Sequence, residues 1–107
     1  MSKLVMTRGL PGSGKSFWAA NEALRLDVRV FVTNKDRIRR ELEKTGWTWS
    51  RNNEKLVVRM QDAEIRDSFD SGIDVVIVAD TNLGNHEERL RRIAMSCGAD
   101  FEVKDFT

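Results

Sequence analysis

The sequence predicts an α/β fold, a four-stranded parallel sheet flanked by helices, in the order β-α-β-α-α-β-α-β. Three observations predict it. Short strand-like runs alternate with longer helix-like stretches, and Gly, Asn or Asp punctuates the joins. The runs Leu4-Val5-Met6 and Ile73 to Ala79 are almost unbroken apolar stretches, as strands covered on both faces are. Between the first run and the helix after it lies Gly9-Leu10-Pro11-Gly12-Ser13-Gly14-Lys15-Ser16, which fits G-x-x-x-x-G-K-[ST] in every position.

The first strand spans about Lys3–Arg8, and the loop and first helix run to about Leu26. Phe17, Trp18, Ala19, Ala20, Ala23 and Leu24 belong to that helix, which lacks Gly and Pro. Val28, Val30 and Val32 alternate with Arg29 and Phe31 and make a second strand. Asn34 can cap a helix from Lys35 to about Lys44, ended by Gly46. Residues 47–53 read as a loop. Leu56, Val57, Met60, Ala63, Ile65 and Phe69 mark a long helix closed by Gly72. The third strand, Ile73 to Ala79, ends at Asp80. Asn85 can cap a helix carrying Leu90, Ile93 and Ala94, which stops at Gly98. Phe101, Val103 and Phe106 outline a last strand.

The bulk properties set bounds. A chain of 107 residues supports one domain, residues 1–107, with one core. Charged residues make up 33% against 40% apolar, which suits a thin sheet with much helix surface in water. The net charge of +1 gives no global basic field, so any polyanion site must be a local cluster. A single cysteine, Cys97, excludes an internal disulfide and points to a reducing compartment. No apolar run is long enough to span a bilayer, and Met1-Ser2-Lys3 leads straight into a strand with no signal peptide. A cytoplasmic protein is expected, with no membrane partner.

The loop spacing is set by chemistry. Its glycines let backbone N–H groups converge on phosphate oxygens, and the helix it opens adds partial positive charge. Lys15 can reach the β- and γ-phosphates of a nucleotide, and the Ser16 hydroxyl is placed to ligate Mg²⁺. Such loops usually stand beside the strand that ends in a carboxylate, so the expected strand order is second, third, first, fourth. Ser16, Asp36 and Asp80 then converge at the carboxyl ends of the strands.

Asp80 can hold the metal directly or through water, or can simply turn the chain at a strand end. Asp36 sits in the first turn of its helix, with Arg39 three residues on and on the same face. One reading makes Asp36 a general base and Arg39 the grip on an acceptor phosphate. The other is a dipole-compatible Asp with a surface ion pair.

Three blocks, Gly9 to Ala19, Asn34-Lys35-Asp36-Arg37-Ile38-Arg39 and Asp80-Thr81-Asn82-Leu83, together resemble the kinase domain of phage 5′-polynucleotide kinase, in the P-loop kinase superfamily. The resemblance covers nearly the whole chain. It implies transfer of the γ-phosphate of ATP, with Mg²⁺, to the 5′-hydroxyl end of DNA or RNA, in a phage-infected host cytoplasm. On that resemblance Gly9, Pro11, Gly12, Ser13, Gly14, Lys15, Ser16 and Phe17 contact the nucleotide. Ser16 and Asp80 serve the metal. Lys15, Asp36 and Arg39 are catalytic, and Asp36, Arg39, Asp80 and Thr81 meet the acceptor, with Asp80 placing Arg39 or the metal.

Two departures matter. Phe17 stands where a threonine is common, so one phosphate contact is expected to be lost. The chain also stops at Thr107, where such kinases continue into a lid carrying an arginine for the transition state and residues for the nucleobase. A C-terminally truncated core, weak or inactive by itself, is therefore expected. A small-molecule kinase of the same loop class and a non-catalytic nucleotide-binding module are the competing functions. An uncovered last strand could also drive homo-oligomers.

Other residues carry open readings. Trp47 and Trp49, near Lys44 and Arg51, either cover an apolar edge or stack on single-stranded bases. Trp18 is expected in the core. Arg37, Arg39 and Arg40 either meet an acceptor backbone or form a solvated face. Glu87, Glu88, Arg89, Arg91 and Arg92 read as a wet helix face, His86 carries no assignment, and Cys97 is expected to be structural.

Overall fold

The computed structural model describes residues 2–9, 14–25, 28–80, 82 and 85–106. The elements are β1 (Lys3–Arg8), α1 (Lys15–Arg25), β2 (Val30–Thr33), α2 (Lys35–Glu43), α3 (Arg51–Asp70), β3 (Val75–Val78), α4 (His86–Ser96) and β4 (Asp100–Asp105). The strands form one sheet in the order β2-β3-β1-β4. Every pairing is parallel, with Leu4 opposite Val76 and Phe101, and Phe31 opposite Val76. Order and sense match the sequence expectation.

The period-2 alternation of the central strands sorts their side chains between two layers. Leu4 and Met6 of β1 and Val76 and Val78 of β3 pack with Ile65 of α3 and Leu90, Ile93 and Ala94 of α4. Val5, Ile77 and Ala79 point the other way, toward Ala19 and Trp18 of α1. Leu4, Met6, Val76 and Val78 have no exposed surface. Each such side chain stabilises by about 1.5–3 kcal/mol before chain entropy is counted. Trp18 is half-buried and meets Phe106 edge-on, with ring centroids 5.9 Å apart. Cys97 is a free thiol packed against the α3/α4 layer.

Several boundaries differ from the sequence reading. Helix α3 begins at Arg51, so Arg51, Asn52 and Asn53 are helical rather than loop. The Ser50 hydroxyl oxygen accepts from the Asn53 amide at 3.0 Å. Apolar periodicity starts only at Leu56, and the polar first turn is held by this cap instead. Val28 lies outside β2 and is half exposed. Ile73 and Asp74 precede β3, where the Asp74 and Val75 amides both donate to the Arg29 carbonyl. Asn85 occupies the cap position of α4 but makes no side-chain cap bond. The turn after α3 runs through Gly72 at φ +95°, a backbone conformation open to glycine at low cost.

Candidate active site

Asn34 links the end of the sheet to the start of α2. Its side-chain oxygen accepts from the Arg37 amide at 3.2 Å, while its amide nitrogen donates to the Ala79 carbonyl at 2.6 Å. Those two hydrogen bonds fix the first turn of α2 against the carboxyl end of β3, and Asp36 with it. Asp36, Arg39, Arg40 and Glu43 line a cleft of about 750 Å³ whose other wall includes Ala20 of α1. The cleft therefore opens between the helix that follows the glycine loop and the helix that carries Asp36.

Arg39 is held from two sides. Its Nε donates to both oxygens of Glu54 at 3.1 and 3.0 Å, and Nη2 also reaches Glu54. Nη1 donates to Asp36. Hydrogen bonding to Arg39 draws the Glu54 carboxyl below its usual range, and the same contact raises the Arg39 guanidinium. Asp36 keeps 74% of its side chain exposed, against 26% for Arg39. An exposed carboxylate beside a braced guanidinium can accept a proton from a group entering the cleft.

Behind this wall lies a buried polar network. Asp80 is 6% exposed; its Oδ1 accepts from the Lys35 amide at 3.0 Å and its Oδ2 from Gln61 Nε2 at 2.9 Å. Gln61 Oε1 in turn accepts from Arg89 Nη2 at 2.9 Å, and Arg89 Nη1 donates to Asp62 at 2.9 Å. Lys35 Nζ lies 3.3 Å from His86 Nε2. Burial lowers both groups: the Lys35 ammonium falls below its ordinary value, and His86 drops to about 4. The cations Lys35 and Arg89 push His86 further in the same direction. Burial also lowers the Arg89 guanidinium. Asn82 is fully buried at φ 51° and donates to the Thr7 carbonyl at 2.7 Å, tying the segment after β3 to β1.

The structure distributes the sequence-predicted residues unevenly. It brings Asp36 and Arg39 together and sets Asp80 at the carboxyl end of β3. Among the described residues Asp80 contacts Lys35 and Gln61, whereas Arg39 is held by Asp36 and Glu54. Of the two roles expected for Asp80, placing Arg39 or the metal, the first has no direct contact behind it: among the described residues Glu54 of α3 is the carboxylate that, with Asp36, meets Arg39. Gly9 is buried at the end of β1, and Gly14, at φ +91°, leads into α1. Pro11, Gly12, Ser13 and Thr81 lie outside the described residues. Lys15, Ser16 and Phe17 form the first turn of α1, and their side chains lie outside the description as well.

The model of an AAA domain family matches residues 4–107. The chain belongs to this AAA domain family, AAA_33. Solved structures agree on the fold. A chain in the structure of the Pnkp1/Rnl/Hen1 complex superposes with TM-score 0.80 at 27% identity, over 99% of this chain and 35% of that one. The Pnkp1/Rnl/Hen1 RNA repair complex gives TM-score 0.71 at 25% identity, over 98% and 33%. A mutant of the Mycobacterium tuberculosis APS kinase CysC gives TM-score 0.71 at 26% identity, over 97% and 76%. This AAA domain therefore has the P-loop kinase fold, and it spans about a third of the repair-complex chains it matches.

Within the AAA_33 domain, four site residues escaped the sequence reading. Gln61 is fully buried at the middle of the stripe Val57, Gln61, Ile65, and a polar residue at a core position was the available signal. Glu54 continues that stripe by one turn. Arg89 was read as part of a wet face but turns inward to Gln61 and Asp62, while Glu87–Arg91 and Glu88–Arg92 do form exposed i,i+4 pairs. His86 is half-buried beside Lys35. Arg37 pairs with Glu64 at 2.6 Å and is not free for an acceptor, whereas Arg40 has no carboxylate partner among the described residues. No helix of the AAA_33 domain's described residues is long and apolar enough to cross a membrane.

Proposed function

We propose that this AAA domain is the core of an ATP-dependent kinase that phosphorylates the 5′-hydroxyl end of a polynucleotide. The observation that carries the proposal is the Asp36–Arg39–Glu54 constellation, set in a cleft beside the helix that follows the phosphate-type loop. The likeness to chains in the Pnkp1/Rnl/Hen1 RNA repair complex supports this acceptor class.

The described residues hold no cluster of three or more acidic, His or Cys side chains able to enclose a metal. Mg²⁺ carried mainly by nucleotide phosphates and water needs only one or two protein oxygens. Ser16 would supply one of them. Asp80, whose oxygens accept from Lys35 and Gln61, keeps acceptor capacity and would help hold the ion, directly or through water. Mg·ATP, when bound, supplies the phosphoryl group and offsets its charge. Lys15 and the amides of Gly12 to Ser16 would hold the β- and γ-phosphates, with Gly9, Pro11 and Phe17 flanking them.

Asp36 would accept the proton of the attacking 5′-hydroxyl as that oxygen bonds to the γ-phosphorus and the bond from that phosphorus to the bridging oxygen breaks, ADP leaving with the electron pair. Of the five N–H groups of a guanidinium, Arg39 commits two to Glu54 and one to Asp36. The remaining two are available to a phosphate of the acceptor, and Thr81 would add a contact nearby. The work of the site is positioning, in keeping with phosphoryl transfer generally. The cytoplasm of a phage-infected cell is the setting we propose, and self-association is a further proposal.

The likeness to APS kinase favours a second reading, a small anionic acceptor in the same cleft. Competition separates the two. Label transferred from γ-labelled ATP to a 5′-hydroxyl oligonucleotide, and not diminished by excess APS, supports the first. Transfer to APS alone overturns it in favour of the second.

A further inference from the structure

We propose that the outward face of the first half of α3, with Trp49, is a track for single-stranded nucleic acid leading to the Asp36–Arg39 cleft. The proposal deepens the kinase reading by naming where the strand beyond the reacting end lies.

Trp49 is 62% exposed, so it does not cover an apolar edge, in contrast to the half-buried Trp47. Arg51, Lys55 and Arg59 follow at intervals of four on α3. With Glu54 and Val58 they line one shallow groove of about 540 Å³. None of the three cations has a carboxylate partner among the described residues, although the chain is rich in ion pairs elsewhere. One contact links the groove to the candidate site: Glu54 lines the groove and grips Arg39, which lines the cleft.

A helix favours acids at its N-terminus and bases at its C-terminus. The first turn of α3 holds Arg51 together with Glu54, Lys55 and Arg59 follow, and the last turn carries Asp67 and Asp70 with no base. The cations of the groove therefore sit in the first half of the helix and the excess of acids in the second.

Four residues of helix advance about 6 Å, comparable with the step between phosphates on a stretched single strand. A flat, exposed indole at the head of such a row provides a base-stacking platform. An acidic peptide would match the charge but would leave Trp49 without use.

Fluorescence anisotropy with a labelled, 5′-hydroxyl oligothymidylate tests the track on the 107-residue chain, with poly-glutamate as competitor. Trp49→Ala is expected to weaken binding by between about 5-fold and 150-fold, while Trp49→Phe retains most of it. Arg51→Ala/Lys55→Ala/Arg59→Ala is expected to lower the salt slope of log K by about 2. Thermal melts confirm that the variants fold. Unchanged binding or slope in folded variants, equal binding by poly-glutamate, or no oligonucleotide binding at all overturns the track. Mg·ATP affinity measured in parallel keeps the two proposals apart: its absence sinks the kinase reading while oligonucleotide binding still stands.

Discussion

Arg39 is the residue on which the candidate chemistry turns, and its geometry depends on Glu54. A guanidinium held through Nε and Nη2 has little rotational freedom, so its free N–H groups keep a fixed direction. Glu54→Gln removes the charge that braces it while keeping the shape. Transfer is expected to fall by about 100-fold, with Mg·ATP affinity unchanged, as measured by single-turnover kinetics and calorimetry. His86 behaves differently. Its folded value of about 4 lies below the ordinary 6.5, so between those pH values the unfolded chain binds a proton that the folded chain rejects. Stability should therefore fall as pH drops from 6.5 toward about 4 and level off below that. Urea midpoints across this range, compared with His86→Gln, check the slope, which the variant should lose in part. Asp36 and Arg39 were legible as a pair from helical spacing alone. Glu54 and His86 were not, because their roles arise only where separate helices meet; the apolar stripe around Gln61 signals its burial but not its partners.

At the scale of elements, local signals and tertiary contacts divided the work. Asn34 read correctly as a cap because an Asn followed by a charged, Gly-free stretch satisfies an exposed helix end. Asn85 offered the same signal, yet its side chain caps nothing. The start of α3 was misplaced because the apolar pattern begins a turn and a half after the true cap, Ser50. Those two caps yield a paired prediction. Ser50→Ala should cost about 1 kcal/mol, whereas Asn85→Ala should stay within about 0.5 kcal/mol. Chemical denaturation of both variants measures the difference. A loss at position 85 as large as that at position 50 would show that the cap geometry of α4 differs from this description.

Across the whole molecule, the strand order was readable because the glycine loop constrains the topology. A loop of that spacing must end a buried strand, and the carboxylate-terminated strand stands next to it. The two apolar runs then had to be central, and β2 and β4, which are less completely buried, are the edges. What the chain's pattern does not carry is the buried polar network behind the cleft. Lys35, Gln61 and Arg89 come from three helices and Asp80 from the segment after β3, and only the assembled sheet brings them into hydrogen-bonding range.

The central claim is that Asp36 activates an acceptor hydroxyl in the cleft beside the phosphate-type loop. Single-turnover transfer from γ-labelled ATP to a 5′-hydroxyl oligonucleotide, with the protein in excess, compares the natural chain with Asp36→Asn. The account predicts slow transfer by the natural chain and a loss of about 10²–10⁴-fold in the variant, with Mg·ATP bound equally by both. Equal transfer by the two chains, or none from the natural one while Mg·ATP is bound, would contradict it.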